Sequence, residues 1–559
     1  MIRNLKNIGW MTLGFIFVFS CKKEKTPEVP PTPKQIAVRN IFINSVPFDN
    51  TIYGVNQSPL IRIEFTEPVN SSTVASAVKL TDISGIESAI TTTLQNRDSV
   101  LLVQPSAPLN YISQYNFRIT ADLKSSTGGS FLSSVNNSFI TKIDSSRKFP
   151  IISDNSLLEL VQRQTFKYFW DNGHPVSGLA RERSNATPET VTSGGSGFGI
   201  MAIVTGVDRG FITRTQGLNR LQTIVSFLKN TAQKFHGAFP HWLNGTTGLV
   251  IPFSQYDDGA DLVETSYLMM GLLTARQYFN ESDATETNLR NDINTLWNAV
   301  EWNWFRQSNQ NVLYWHWSLN FAWQMNHQIR GWNECLITYV LAASSTTYSI
   351  PAVVYSSGWT ANGNNGFTNG NSYYGLTLPL GPAYGGPLFF SHYSFLGINP
   401  NSLSDVYANY QSQTLNHTKI NYEYCKDNPK NFYGYSDSCW GLTASDIQNG
   451  YTASSPTNDV SVIAPTAAIS SLPYTPTESM KALKFFYYVL GDKIWGEYGF
   501  KDAFSLHNPW FAGSYLAIDQ GPIIVMIENY RSGLLWDLFT SCPEVKAGML
   551  SLGFSAPYL

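Results

Sequence analysis

Between residues 38 and 142 the apolar and polar side chains alternate with the period of a strand. Ile61, Ile63 and Phe65 are separated by Arg62 and Glu64, and Tyr115, Phe117 and Ile119 by Asn116 and Arg118, so each extended run has one apolar face. Turn-forming stretches (NQS, NRDS, STGG) punctuate such runs. The pattern predicts a small all-β, Ig-like sandwich over residues 38–142. After the bridge DSSRKFPIISD the period lengthens. Leu157, Leu158, Val161, Thr165 and Phe169 share one helical face, with Asp154 and Ser156 as candidate starts. Two kinds of helical stretch then alternate. LNRLQTIVSFLKN (218–230), TNLRNDINTLWNAV (287–300) and the run around 403–424 are amphipathic, whereas GFGIMAIVTGV (197–207), LVETSYLMMGLLTA (262–275), NECLITYVLAA (333–343) and GPIIVMIENY (521–530) are apolar nearly all round. Helices buried on every side alternating with half-buried ones predict two concentric rings, an all-α (α/α)6 toroid over residues 150–559.

The N-terminus follows neither pattern. Arg3 and Lys6 precede an apolar run, Ile8 to Ser20, that is too short to span a bilayer comfortably and suits a secretory leader. Val18-Phe19-Ser20-Cys21 resembles a bacterial lipoprotein box. Residues 1–21 are therefore expected to be a signal peptide ending in a lipidated Cys21, and the Pro-rich stretch 22–37 a stiff tether. The expected product is a cell-envelope lipoprotein on the periplasmic or surface face of the outer membrane, with the lipid as its membrane contact.

Composition changes this picture in two respects. With 43% hydrophobic and 14% charged residues and a formal net charge of −3, the chain can fill a large core and has no electrostatic reason to bind nucleic acid. Its 15 Trp, 29 Tyr and 33 Phe supply flat apolar faces of the kind against which sugar rings stack. Cys425 and Cys439 flank the loop CKDNPKNFYGYSDSC and could pair in an oxidising compartment, a closure worth about 3 kcal/mol. No CxxC or HExxH occurs, so neither a metal nor another cofactor is expected.

The densest chemistry lies in DDGADLVETSYLMMG (257–271). Asp257, Asp261 and Glu264 stand at i, i+4 and i+7 and would share one face of a helix, with Asp258 to the side. Helix capping accounts for one or two such acids, but four within eight positions require compensation. Other apolar helices open on glycine, an acid or both, as in GGSGFG, GWNE and AIDQGP. Pro522 suits a first helical turn and Gly521 a tight turn before it, which places Asp519, like Glu334, at a helix entrance. In a toroid such entrances surround a central pocket, so the acids are expected to converge there, with Trp242, Trp317, Trp332 and Trp510 nearby.

Several of these segments carry a further likeness. RERSN (181–185), GGSGFGIMA (194–202), GAFPHWLNG (237–245), DGADLVETS (258–266), WNEC (332–335), FFSHYSFLG (389–397), CWGLTASD (439–446) and HNPWFAGSYLAIDQGPIIVMIENY (507–530) together resemble the bacterial glycoamylase-domain proteins, glycoside hydrolase family 144. The likeness runs over residues 150–559, and RIEFTEPVN to SFIT resembles the bacterial Ig-like domains that precede secreted enzymes. It implies an (α/α)6 barrel and metal-free, inverting hydrolysis of β-1,2-glucan.

Inversion needs a protonated carboxyl near the leaving oxygen and a carboxylate activating water on the other face, about 6.5–9.5 Å away. Glu334, walled by Trp332 and apolar neighbours, is the expected general acid, and Asp519 the expected general base. By the same resemblance Asp258, Asp261 and Glu264 bind sugar hydroxyls. Arg181, Trp242, His392, Tyr393 and Trp440 are further candidate sugar contacts. The expected partner is a β-glucan polysaccharide or oligosaccharide, with other glycan-uptake proteins as possible associates. Endo action is the main reading. Exo release of sophorose or glucose, and a surface lipoprotein that binds glycan without cutting it, remain alternatives.

Overall fold

The computed structural model describes residues 32–559; the leader, Cys21 and residues 22–31 of the tether lie outside the described residues. Contacts divide the chain into two compact units, one built from residues up to Phe139 and one from Ile140 to Leu559, the latter also taking Tyr53–Val55 and Asn110–Gln114.

The first unit is a β-sandwich. Strands β1 (Val38–Ile43), β2 (Val46–Pro47), β3 (Ile52–Val55), β4 (Ile61–Phe65), β5 (Val78–Asp82), β6 (Ile90–Gln95), β7 (Val100–Pro105), β8 (Gln114–Ile119) and β9 (Val135–Thr141) form sheets of order β2-β1-β4-β7-β6 and β3-β9-β8-β5. The alternation seen in the sequence sets the faces: Ile61, Ile63 and Phe65 of β4 and Tyr115, Phe117 and Ile119 of β8 are buried, and the residues between them are not. Phe117 and Phe139 pack on Phe48 at ring separations of 6.3 and 6.1 Å, filling the space between the sheets.

The second unit is helical. Helix α1 (Asp154–Trp170) starts one residue after Ser153, whose hydroxyl accepts from the Ser156 amide, an ordinary cap. Helix α2 (Ser193–Asp208) follows, and α3 (Arg214–Asn230) begins with a Thr213/Gln216 capping box. Then come α4 (Leu262–Tyr278), α5 (Ala284–Ala299), α6 (Leu336–Ser344), α7 (Tyr410–Asp427), α8 (Pro465–Ile469), α9 (Pro476–Tyr488), α10 (Ala517–Arg531), α11 (Leu534–Thr540) and α12 (Pro543–Ser551). The predicted division holds: α2, α4 and α10 are buried along almost their whole length, while α1, α3, α5 and α9 bury one face. Among the described residues no helix is long and apolar enough to cross a membrane.

Close approach of the buried helices depends on missing side chains. A Cβ on Gly197 of α2 would stand 2.1 Å from the Tyr267 carbonyl oxygen of α4, and one on Gly271 of α4 would stand 2.2 Å from the Gly197 carbonyl oxygen. Gly521 has the same function rather than the expected tight turn. Helix α10 starts at Ala517, so Pro522 lies inside it and Gly521 is helical, and a Cβ there would meet Phe198 at 2.4 Å. Cys425 and Cys439, whose pairing the sequence leaves open, are both free thiols, buried in the apolar cluster around Trp440 and Leu442. Core packing already holds the ends of that loop.

Candidate active site

Short β-pairings at the mouths of the buried helices assemble the site. Thr190–Thr192, Trp242–Asn244 and Val250–Ile251 form a three-stranded sheet that sets His241 and Trp242 beside the start of α2. Ala260–Asp261 pairs with His316–Trp317, so Asp261 lies directly opposite His316. The hairpin Ala444–Ile447/Gly450–Ala453 contributes Tyr451. Together these surround a cavity of about 470 Å³ lined by Glu182, Arg183, Glu264 and Glu334 among aromatic and apolar walls that include Trp242, Phe253, Tyr267, Trp315, Tyr393 and Ile518.

Glu334 stands in a turn just before α6, its carbonyl accepting the Ser394 hydroxyl. Burial pushes its carboxyl up to about 7, with the charges of Glu264 and Asp261 adding to the rise. It is therefore about half protonated at neutral pH, where an ordinary carboxyl is ionised.

The acid-rich stretch is not one helical face. Helix α4 begins at Leu262, so Asp257 and Asp258 lie in a loop, and Asp261 is the N-cap, with extended backbone. Its Oδ1 accepts the Val263 and Glu264 amides at 3.0 and 2.9 Å, and its Oδ2 lies 3.1 Å from His241 Nδ1. Burial opposes the Asp261 charge, but hydrogen bonds from His241 and His316 and their charges outweigh it and hold its carboxyl well below the usual range. His316 Nε2 also lies 3.4 Å from Asp257. Although burial disfavours the charged ring, Glu264, Asp261 and Asp257 raise His241 to about 9. The compensation demanded by the crowded acids thus comes from two histidines. His241, Asp257 and Asp261 also present ligand atoms within 4.8 Å of one another; His241 pairs with Asp261, and Asp257 Oδ1 keeps no hydrogen-bond partner.

Glu264 has a double role. Its Oε2 accepts the Gly194 amide at 2.8 Å and the Thr192 hydroxyl at 3.3 Å, closing the N-terminus of α2, whose own N-cap side chain makes no capping bond. Burial raises its pKa. Asp258 accepts from the Asn320 side chain at 2.7 Å.

A second acidic group lies behind the wall. Arg183 donates to Asp446 at 3.0 Å and to Glu182 at 2.8 Å. Asp502 accepts the Asp446 amide at 2.7 Å, and its carboxyl stands within hydrogen-bonding reach of that of Asp519. Asp519, in the first turn of α10, is 2% exposed and is covered, while the neighbouring Leu516 and Ile518 form the cavity wall. Burial and then the Asp502 charge raise its pKa strongly.

The structure thus brings Glu264, Glu334, Trp242 and Tyr393 to one cavity, with Asp261 behind its wall against His241 and Asp519 behind Leu516 and Ile518; Asp258 is held by Asn320. Three candidate sugar contacts lie elsewhere. The Arg181 guanidinium is held by Asn172 and the Pro188 carbonyl. His392 is buried against the Ser471 hydroxyl and kept neutral, burial lowering it to about 3. Trp440 is wholly buried, donating to the Glu478 carbonyl. Missed from sequence were Glu182 and Arg183, although they stand within the RERSN motif, and His241, His316, Tyr267, Tyr451, Asp446 and Asp502.

Residues 326–543 match the family model described as "Putative glucoamylase", and residues 41–141 match that of the bacterial Ig-like domain. The exo β-1,2-glucooligosaccharide sophorohydrolase (non-reducing end) of Parabacteroides distasonis is 46% identical over 434 residues, covering 74% of this chain and 60% of that protein, less than two thirds of its length. A solved structure of the same glucoamylase description from Bacteroides uniformis has a TM-score of 0.72 at 57% identity, covering 74% of this chain and 100% of that one. The endo-β-1,2-glucanase of Chitinophaga pinensis, in complex with sophorotriose and glucose, has a TM-score of 0.71 at 53% identity, covering 73% of this chain and 100% of that one. The chain belongs to this glycoamylase-type family, glycoside hydrolase family 144, and carries a bacterial Ig-like domain ahead of the helical unit.

Proposed function

We propose that this protein hydrolyses β-1,2-glucan with inversion, by endo action, in a helical unit arranged as an (α/α)6 toroid. The observation that carries the reading is Glu334: a carboxyl raised to about 7 on the wall of an aromatic-lined cavity is a proton donor for a glycosidic oxygen. Asp519 is the proposed general base. The Tyr393 hydroxyl, on the cavity wall, senses the charges of both Asp519 and Glu334, which supports the two acids serving one site. Glu264 and the Asp258/Asp261 group bind or orient sugar hydroxyls, and Trp242 and Phe253, with ring centroids 4.8 Å apart, offer a stacking edge.

Exo release of sophorose is the second reading, favoured by the activity named for the P. distasonis relative. Digestion of β-1,2-glucan followed over time separates the two: early products of mixed length support endo action, a single disaccharide throughout supports exo action, and no release sinks both. The leader, Cys21 lipidation and outer-membrane anchoring belong to the same proposal and are tested by metabolic labelling with a fatty acid in wild type and Cys21→Ser.

A further inference from the structure

We infer that Asp502 and Asp519 act as one unit, a buried carboxyl pair holding a single proton, with Asp502 the positioning residue that takes Asp519's proton when water is activated. The inference rests on the reading of Asp519 as the base and deepens it. Asp502 and Asp519 are 1% and 2% exposed, and their carboxyls stand within hydrogen-bonding reach of each other. A hydrogen bond between two carboxyls requires a proton, and two buried carboxylates in contact cannot both stay ionised. Each also keeps an oxygen, Asp502 Oδ1 and Asp519 Oδ2, with no N–H or hydroxyl partner.

The surrounding charge forces the same conclusion. The groups facing the pair are Arg183, Tyr168 from α1, Asp446 and Tyr451 from the hairpin, and Tyr393. Arg183 is the one cation in that set, and it is already engaged by Glu182 and Asp446. The Asp446 amide donates to Asp502 Oδ2 at 2.7 Å, which favours charge on Asp502 and leaves the resting proton on Asp519.

A protonated Asp519 cannot accept a proton from water. The shared bond removes that obstacle. As water attacks the anomeric carbon, the resting proton moves from Asp519 to Asp502 and Asp519 takes the proton lost by water. Glu334 gives its proton to the leaving oxygen as the glycosidic bond breaks. The pair then holds two protons, Glu334 is ionised, and loss of one proton from the pair and gain of one by Glu334 restore the resting state.

Asp502→Asn tests this. The acidic limb of the wild-type kcat–pH profile reports entry of a second proton into the pair, and the shared proton holds that limb low; with Asn at 502 Asp519 titrates alone, so the limb should move up by about one pH unit or more, with inversion, read by NMR of the first-formed anomer, retained. An unmoved limb in a folded variant overturns the pair. Asp519→Asn separates the two ideas: loss of about 1,000-fold or more in kcat supports Asp519 as base whatever Asp502→Asn does, whereas near-normal turnover removes the base reading and the pair with it. If Asp502→Asn does not fold, infrared spectroscopy of Glu334→Gln at pH 8 decides. A protonated-carboxyl band persisting there supports the pair, and its absence overturns it.

Discussion

Glu334 combines two opposed demands. A carboxyl kept protonated to about pH 7 serves as an acid but costs stability. Its ordinary value is 4.5 and its folded value about 7, so between those pH values the unfolded chain releases a proton that the folded chain retains. Its contribution is therefore complete below about pH 4.5 and is lost as pH rises through 7. Glu334→Gln, which carries no charge to desolvate, should melt at a higher temperature than wild type at pH 8 and at nearly the same temperature at pH 4, as thermal scans would show. Its kcat should fall by about 100- to 10,000-fold, checked on β-1,2-glucan. The basic limb of the wild-type kcat profile should lie near pH 7 if Glu334 is the donor. Glu334's burial was legible at this scale, because WNEC places the acid between Trp332 and an apolar run. The identity of its neighbours was not. Nothing in the spacing of His241 and His316 announces that they stand against Asp257 and Asp261, since a β-pairing distant in sequence sets one of them opposite Asp261.

Among elements, the buried helices are held by close backbone contact and by one buried ion pair. Gly197→Ala should cost about 3 kcal/mol, because the new methyl meets the Tyr267 carbonyl of α4, which cannot swing away; urea unfolding measures it. Arg209, at the end of α2, donates to Glu528 of α10 at 2.7 and 2.6 Å, and Gln162 of α1 adds a bond at 3.0 Å. Arg209→Ala leaves the wholly buried Glu528 without its cation and should cost about 3–5 kcal/mol by the same measurement. Helix identity came readily from sequence because apolar content all round has few solutions other than burial. Helix starts did not. DDGADLVE fits helical spacing, yet Asp261 adopts extended backbone because one of its carboxylate oxygens caps α4 while the other faces histidine. AIDQGP suggested a start at Pro522, but packing against Phe198 lets the helix run back to Ala517.

Across the described residues, stability rests on packing without a covalent clasp. Cys335, Cys425, Cys439 and Cys542 are buried free thiols. Dithiothreitol should leave the melting temperature unchanged, and a thiol reagent should find these groups only after denaturation; a drop on reduction would reinstate the bridge. The sequence by itself determined the two-part organisation and the inside or outside position of most helices and strands, because periods of 2 and 3.6 residues translate burial directly into side-chain pattern. It also singled out Glu334 and Glu264, both of which line the cavity. Only the tertiary structure decided that Arg183, not Arg181, reaches the cavity, that His392 and Trp440 are core, and that Asp519 stands behind the wall beside Asp502. Those outcomes depend on which segments meet across long stretches of chain, and a buried charge takes its character from groups that spacing along the sequence does not specify.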